Sequence, residues 1–165
     1  MKNILLIQNK INSFNNSINV SGDKSLSIRW AIMSAQALGK SKAFNLLNSE
    51  DVNNALVAIK KLGIKVVKKN DYCEIFGRGL NGFSFSNNTR INAQNSGTFA
   101  RLILGVLAKT KKKIILKGDR SLSNRDFSRV INPLKNFGAN FYQSKKSSLP
   151  LYIQGTKYVL SLIHI

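Results

Sequence analysis

One cysteine, one histidine and only seven acidic residues occur among 165 positions, and each shortage removes a class of function. Cys73 has no second cysteine to pair with, which fits a reducing cytosol. It sits in a strand-like run without basic neighbours in sequence, so it reads as an inert packed thiol. One Cys and one His cannot supply the ligands of a structural zinc, and no metal site is expected. His164 stands in the terminal "SLIHI", which leaves no credible Ser-His-Asp arrangement. No run approaches the roughly 20 apolar residues of a membrane span. The start, "MKNILLIQNKINSFNNS", has too short an apolar core and no small-residue cleavage site for a signal peptide. A cytoplasmic chain with no membrane partner is expected.

Against that scarcity of acid stand 26 Lys and Arg, giving a formal net charge of +19. Such an excess points to anionic partners. The 43% apolar content is that of a folded domain with a core. The lysines are scattered through "IKKLGIKVVKK", "KTKKKIILK" and "QSKKSS". A basic nucleic-acid-binding module is the alternative from another functional class. The linear sequence offers it net charge alone, with no arginine-rich arm, interleaved aromatic platform or recognised motif. No nucleic-acid partner is therefore expected.

The chain repeats itself. In "SEDVNNALVAIKKLGIKV", Val52, Ala55, Leu56, Ile59 and Leu62 fall on one face of a helix. In "NRDFSRVINPLKNFGANF", Phe127, Val130, Ile131, Leu134 and Phe137 do the same. A single offset relates Val52 to Phe127, Asp51 to Asp126, and Gly63 to Gly138. The two aspartates fall where helix starts are expected, and the two glycines where helices end. Upstream, "SLSIRWAIMSAQALG" corresponds to "SGTFARLILGVLAKT", with Arg29 matching Arg101. Both are apolar on nearly every side and predict buried helices. Strand candidates are "KAFNLL", "IKVVKK" and "YCEIFG" in the first copy, then "KKIILKG", "ANFYQ" and "PLYIQG" in the second. Each copy thus predicts strand, helix, strand, helix and two strands, an α/β unit present twice over 19–155.

Four turn-rich corners precede the helices: "GDKSLSIR", "NSED", "NAQNSGTFAR" and "GDRSLSNRD". Ser, Asn and Asp there are ordinary helix caps. Three of the corners also carry Lys or Arg, close to unpaired N–H groups and positive dipole ends, which together predict an anion site. Lys24, Arg29, Arg120 and Arg125 supply charge, Ser25, Asn95 and Thr98 supply neutral donors, and Gly97 allows close approach. "GDKS" is no nucleotide P-loop, since Asp23 separates Gly22 from Lys24.

Taken in order, "SGDKSLSIR", "LLNSEDV", "LGIKV", "NSGTFARLILG", "LKGDRSLSNR" and "VINPLKNFGA" resemble the N-terminal part of the 5-enolpyruvylshikimate-3-phosphate synthase family, from about Gln8 to Gly155. The sister family, UDP-N-acetylglucosamine enolpyruvyl transferase, has a "GAKN"-like start and a cysteine in the loop occupied here by "GDRSLSNR"; this chain has neither.

The resemblance implies transfer of the enolpyruvyl group of phosphoenolpyruvate to the 5-hydroxyl of shikimate 3-phosphate, releasing phosphate, with no cofactor or metal. It implies repeated βαβαββ units in an inside-out α/β barrel, three to a domain, of which this chain carries two. Lys24 would contact both substrates, while Ser25 and Arg29 would hold shikimate 3-phosphate. Asn95, Gly97 and Arg125 would line the phosphoenolpyruvate site. Asp51 and Arg101 would belong to the architecture of the site. Asp126 stands where many relatives have proline, which implies looser placement of Arg125. Residues 1–18 correspond to a segment that joins the second domain as a strand, and 156–165 do not resemble the family's continuation. Relatives' proton-transferring residues have no counterpart here, so no catalytic acid or base is assigned. The resemblance therefore implies an incomplete piece, inactive alone, of an enzyme that is monomeric when whole.

Overall fold

The computed structural model describes residues 13, 15–143 and 147–156. The first unit runs α1 (Lys24–Gln36), β1 (Leu38–Phe44), α2 (Glu50–Lys61), β2 (Lys65–Lys68) and β3 (Tyr72–Arg78). The second runs β4 (Thr89–Asn92), α3 (Gly97–Leu107), β5 (Lys113–Lys117), α4 (Arg120–Ser123), α5 (Ser128–Asn136), β6 (Asn140–Gln143) and β7 (Leu151–Gln154).

The repeat is most literal where α2 and α5 stop. Gly63 N–H donates to Lys60 O at 2.9 Å and Ile64 N–H to Ile59 O at 3.3 Å. In the second unit Gly138 N–H donates to Lys135 O at 2.9 Å and Ala139 N–H to Leu134 O at 3.0 Å. Both glycines are left-handed, at φ 85° and 92°. This is the paired closure that satisfies the last carbonyls of a helix and favours glycine just past its end.

The helix starts do not obey the same offset. Asp51 lies in the first turn of α2, but α5 begins only at Ser128, leaving Asp126 outside it. Residues 120–123, which occupy the place of 45–48 in the first unit, form the short α4, with Arg125 and Asp126 in the link that follows.

Strand order is β1-β3-β2 in one sheet and β4-β5-β7-β6 in the other. Pairing is antiparallel except between β4 and β5, which run parallel. The expected strand ahead of α1 is not formed among the described residues. Residues 15–23 carry no strand, and Val20 O instead accepts from the Asn45 side chain at 3.0 Å. Most of the proposed 1–18 segment and the tail from 157 lie outside the described residues. The strand expected over 42–47 begins earlier and ends at Phe44, because Asn45 turns left-handed at φ 52°.

Each sheet alternates one buried and one open face. Cys73 and Ile75 point inward from β3, Ile114 and Leu116 from β5, Leu151 and Ile153 from β7. They join Ile28, Ala31 and Ile32 of α1 and Phe99, Ile103 and Leu104 of α3 in one core. α1 packs on α2, α3 and β3, so the two units share that core. α1 is nevertheless not buried all round: Leu26 and Met33 are 63% and 70% exposed, with Arg29 open between them. Among the described residues, its neighbours cover one side.

Candidate anion site at the seam of the two units

Each of the four corners is capped. Asp23 Oδ1 accepts from Leu26 N–H at 2.7 Å, and Asp119 Oδ1 from Leu122 N–H at 2.6 Å. Ser49 Oγ accepts from Val52 N–H at 3.4 Å, and Ser96 Oγ from Phe99 N–H at 3.3 Å. Capping therefore accounts for these four side chains, but not for the cations beside them. Ser27 also ties the corners together. Its hydroxyl donates to Asp23 O at 2.6 Å and accepts from Leu47 N–H at 3.1 Å, fixing the approach to α2 against the first turn of α1.

That bond helps bring Lys24 and Asp51 within 3.2 Å, the two facing the second unit across a small cavity of about 250 Å³. Lys24 and Asp51 line one side; Asn95, Gly97, Thr98, Arg101 and Arg125 line the rest. First-turn residues of α1, α2 and α3 all reach this space, so three positive helix ends converge on it. Of the lining residues three are cationic and Asp51 alone is acidic. Arg125 Nη2 donates to Asn95 Oδ1 at 3.0 Å. Arg101 Nη1 donates to Gly97 O and its Nη2 to Asp126 O, each at 3.4 Å, while its guanidinium lies 5.1 Å from the Phe127 ring centroid. A Cβ on Gly97 would come within 2.8 Å of Arg101 Nη1 and 3.0 Å of Arg125 Nη1. The bare backbone is what lets both guanidiniums close over the start of α3.

Four of the six residues singled out as binding candidates, Lys24, Asn95, Gly97 and Arg125, meet at this cavity; Ser25 and Arg29 are not among its lining residues. Ser25 is half-buried in the first turn of α1, and Arg29 faces solvent on the same helix. Asp51 and Arg101 reach the cavity itself, and Thr98 joins them. The Lys24–Asp51 pairing had no signal in the sequence, because it depends on how Ser27 docks the chain after β1.

Asp126 is well anchored. Its carboxylate accepts from the Ser128 hydroxyl and from Ser128 N–H, the latter at 2.9 Å. The hydroxyl first and the N–H second hold that carboxyl below its ordinary pKa. Its backbone carbonyl meanwhile receives Arg101. Cys73 has a basic residue after all, with Lys68 opposite it across β2 and β3. Burial nonetheless pushes the thiol's pKa up, as an inert packed cysteine requires. A larger open cavity of about 670 Å³ lies by the β2–β3 turn, but Lys68 beside it is already held by Asn48 and Asn53 side-chain oxygens at 2.9 and 2.6 Å. Among the described residues no group of three His, Cys, Asp or Glu side chains is placed to hold a metal, and no helix is long and apolar enough to cross a membrane.

Residues 8–165 match the family model for EPSP synthase (3-phosphoshikimate 1-carboxyvinyltransferase). The chain is similar to 3-phosphoshikimate 1-carboxyvinyltransferase of Ruthia magnifica, 41% identical over 144 residues, covering 87% of this chain and 33% of the relative. It is 38% identical over 153 residues to the enzyme of that name from Syntrophomonas wolfei, covering 90% of this chain and 36% of the relative. An EPSP synthase structure from Acinetobacter baumannii superposes with a TM-score of 0.82 at 31% identity, over 88% of this chain and 33% of that one. The chain thus spans about a third of the length of the curated relatives it matches.

Proposed function

Since the chain belongs to the EPSP synthase family, we propose that its seam cavity is one wall of a site that joins phosphoenolpyruvate to shikimate 3-phosphate. In that reaction the 5-hydroxyl oxygen of shikimate 3-phosphate bonds to the enolpyruvyl carbon and phosphate departs. Both partners are polyanions. Their mutual repulsion opposes the encounter, and converging fixed cations offset it while holding the reacting atoms in line. Lys24, at the mouth of both units, contacts both substrates. Asn95, Gly97 and Arg125 receive phosphoenolpyruvate; Ser25 and Arg29, further along α1, hold shikimate 3-phosphate. Arg101 holds the start of α3 to the α4–α5 link, so that Arg125 meets its ligand in a fixed position. The whole enzyme works in the cytoplasm as a monomer and needs neither metal nor organic cofactor.

The observation that carries this reading is the convergence of three helix starts and three cations, drawn from both units, on a cavity with a single carboxylate. That carboxylate is paired with Lys24 at 3.2 Å, and the family resemblance assigns no proton-transferring residue to this chain. The chain alone is accordingly expected to bind the substrates weakly and to release no phosphate. The test is a chimera in which residues 8–155 replace the matching third of the Ruthia magnifica relative. It should turn over, and Lys24→Met should lower kcat/KM by about 100-fold or more, the scale for losing an electrostatic stabiliser of the transition state. Near-normal kcat/KM in the Lys24→Met chimera would remove Lys24 from the site. Sustained phosphate release by the 165-residue chain would show that the proton-transferring groups lie within it.

A further inference from the structure

We propose that the open face of the β4-β5-β7-β6 sheet is a docking surface for single-stranded nucleic acid. This goes beyond the enolpyruvyl reading and does not depend on it, since the surface lies outside the seam cavity.

Strand register builds the surface from residues that are far apart in sequence. Arg90 pairs with Ile115, Ile115 with Tyr152, and Tyr152 with Tyr142. One row therefore crosses all four strands, running from a cation through an aliphatic side chain to two aromatic rings. At the usual strand spacing the row is about 14 Å long. Tyr142 and Tyr152 are 60% and 44% exposed, neighbours across adjacent strands on the solvent side. Lys113 and Lys117 stand two residues to either side of Ile115 on the same face. An open cavity of about 410 Å³ is bordered by Asn88, Lys113, Tyr142, Tyr152 and Gln154. None of the chain's seven acidic residues falls in these four strands, so no carboxylate on them offsets the charge.

The sheet of the first unit shows what a self-satisfied version looks like. There Lys42 lies 3.9 Å from the Tyr72 ring centroid and 4.8 Å from that of Phe44, Lys65 covers Phe76 at 4.8 Å, and Glu74 holds Lys40 at 3.3 Å. Its rings already carry cations and its charge is partly cancelled. Among the described residues of the second sheet no cation sits over Tyr142 or Tyr152, and both side chains are exposed. Bases stack on exposed rings while lysines track the phosphates, a pairing of chemistries that a single strand supplies and a duplex hides. An acidic peptide would engage the cations without needing a stacking partner, and a lipid surface would take the rings into its interface rather than stack on them. The expectation of no nucleic-acid partner rested on linear order, in which Tyr142 and Tyr152 are not adjacent; pairing of β6 with β7 makes them so.

The test is fluorescence anisotropy of a labelled 12-nucleotide oligo-dT with the 165-residue chain at about 50 and 200 mM salt. Binding should be saturable at the lower salt. Tyr142→Leu with Tyr152→Leu should weaken it about tenfold or more, because both stacking faces are lost. Tyr142→Phe with Tyr152→Phe should hold affinity within about twofold, which separates stacking from folding. Lys113→Gln with Lys117→Gln should reduce the slope of log K against log salt by roughly 1.4, two phosphate contacts on a single strand. Phe44→Leu, on the other sheet, should change nothing. Absence of saturable binding at the lower salt would overturn the proposal. So would a leucine pair that binds like the parent, since bare charge would then explain the affinity. Equal affinity for polyglutamate or phosphatidylserine vesicles, indifferent to the tyrosines, would reassign the face to those partners.

Discussion

Replacing Gly97 by alanine adds one methyl group at the point where two guanidiniums meet the start of α3. The new Cβ would lie 2.8 Å from Arg101 Nη1 and 3.0 Å from Arg125 Nη1, with Leu122 Cδ1 next at 3.6 Å. Carbon and nitrogen in ordinary contact are about 3.5 Å apart, so each guanidinium must retreat by roughly half an ångström or more. The backbone is helical at this residue and needs no left-handed conformation. Alanine is also the better helix former, by up to about 1 kcal/mol in a helix interior. The atoms displaced are the far ends of flexible side chains, which move at little cost to the fold. Stability should therefore stay within about 1 kcal/mol of the parent, a shift of no more than roughly 4 °C in Tm for a chain of this size. Ligand binding should respond differently. Moving both guanidiniums off the helix start sacrifices at least one charge-assisted hydrogen bond to a bound anion, worth about 1.5–3 kcal/mol. That corresponds to a loss in affinity of about tenfold to a hundredfold. Isothermal titration with phosphoenolpyruvate and a thermal melt, run on both proteins, measure the two quantities separately. Unchanged affinity would show that Gly97 does not border the bound anion. A stability loss beyond about 2 kcal/mol would show that the methyl meets something less yielding than two arginine ends.

Asp51→Asn removes the one carboxylate lining the cavity and releases Lys24 from its ion pair. Because Lys24 is half exposed, the pair contributes at most about 1 kcal/mol to folding. Stability should scarcely change while orthophosphate binds several-fold more tightly, and weaker binding in the same titration would mean that Asp51 aims Lys24 rather than competing for it. Asp126 gives a pH signature. Its folded pKa is depressed by Ser128, so its stabilising effect is complete above the unfolded value of about 4 and is lost as pH falls through the folded value. The Tm difference between the parent and Asp126→Asn should hold from pH 6 to about 4 and close below it; a gap that persists at pH 2.5 would contradict the sign.

The parts of this fold legible in the linear order are those fixed by local chemistry. Gly63 and Gly138 announce left-handed helix ends, and the Asp and Ser caps announce four helix starts, because each needs only near neighbours. β2, β3, β5, β6 and β7 were visible through alternating apolar residues. The start of β1 is not legible there, since an edge strand that exposes Leu38, Gly39 and Lys40 has no apolar pattern at its start. The division between α4 and α5 escaped because the apolar period continues through Phe127, which is buried although it lies outside both helices. Within the site, the types of residue could be read from the corners, but their assembly could not. Lys24 meets Asp51, and Arg101 meets Asp126, through packing between elements distant in sequence.

The seam itself has a thermodynamic consequence. Lys24 and Asp51 come from one unit and the remaining lining residues from the other, so neither unit alone can present the cavity. An anion bound there acts as a reversible cross-link between two halves of a duplicated chain. Its binding energy opposes any opening that parts α1 from α3, by an amount set by RT ln(1 + [L]/Kd). At a hundred times Kd that resistance is about 2.7 kcal/mol, comparable to a disulfide in a chain that has a single cysteine. Amide exchange in α1 and α3 should therefore slow together as ligand is added, even though the two helices belong to different repeats.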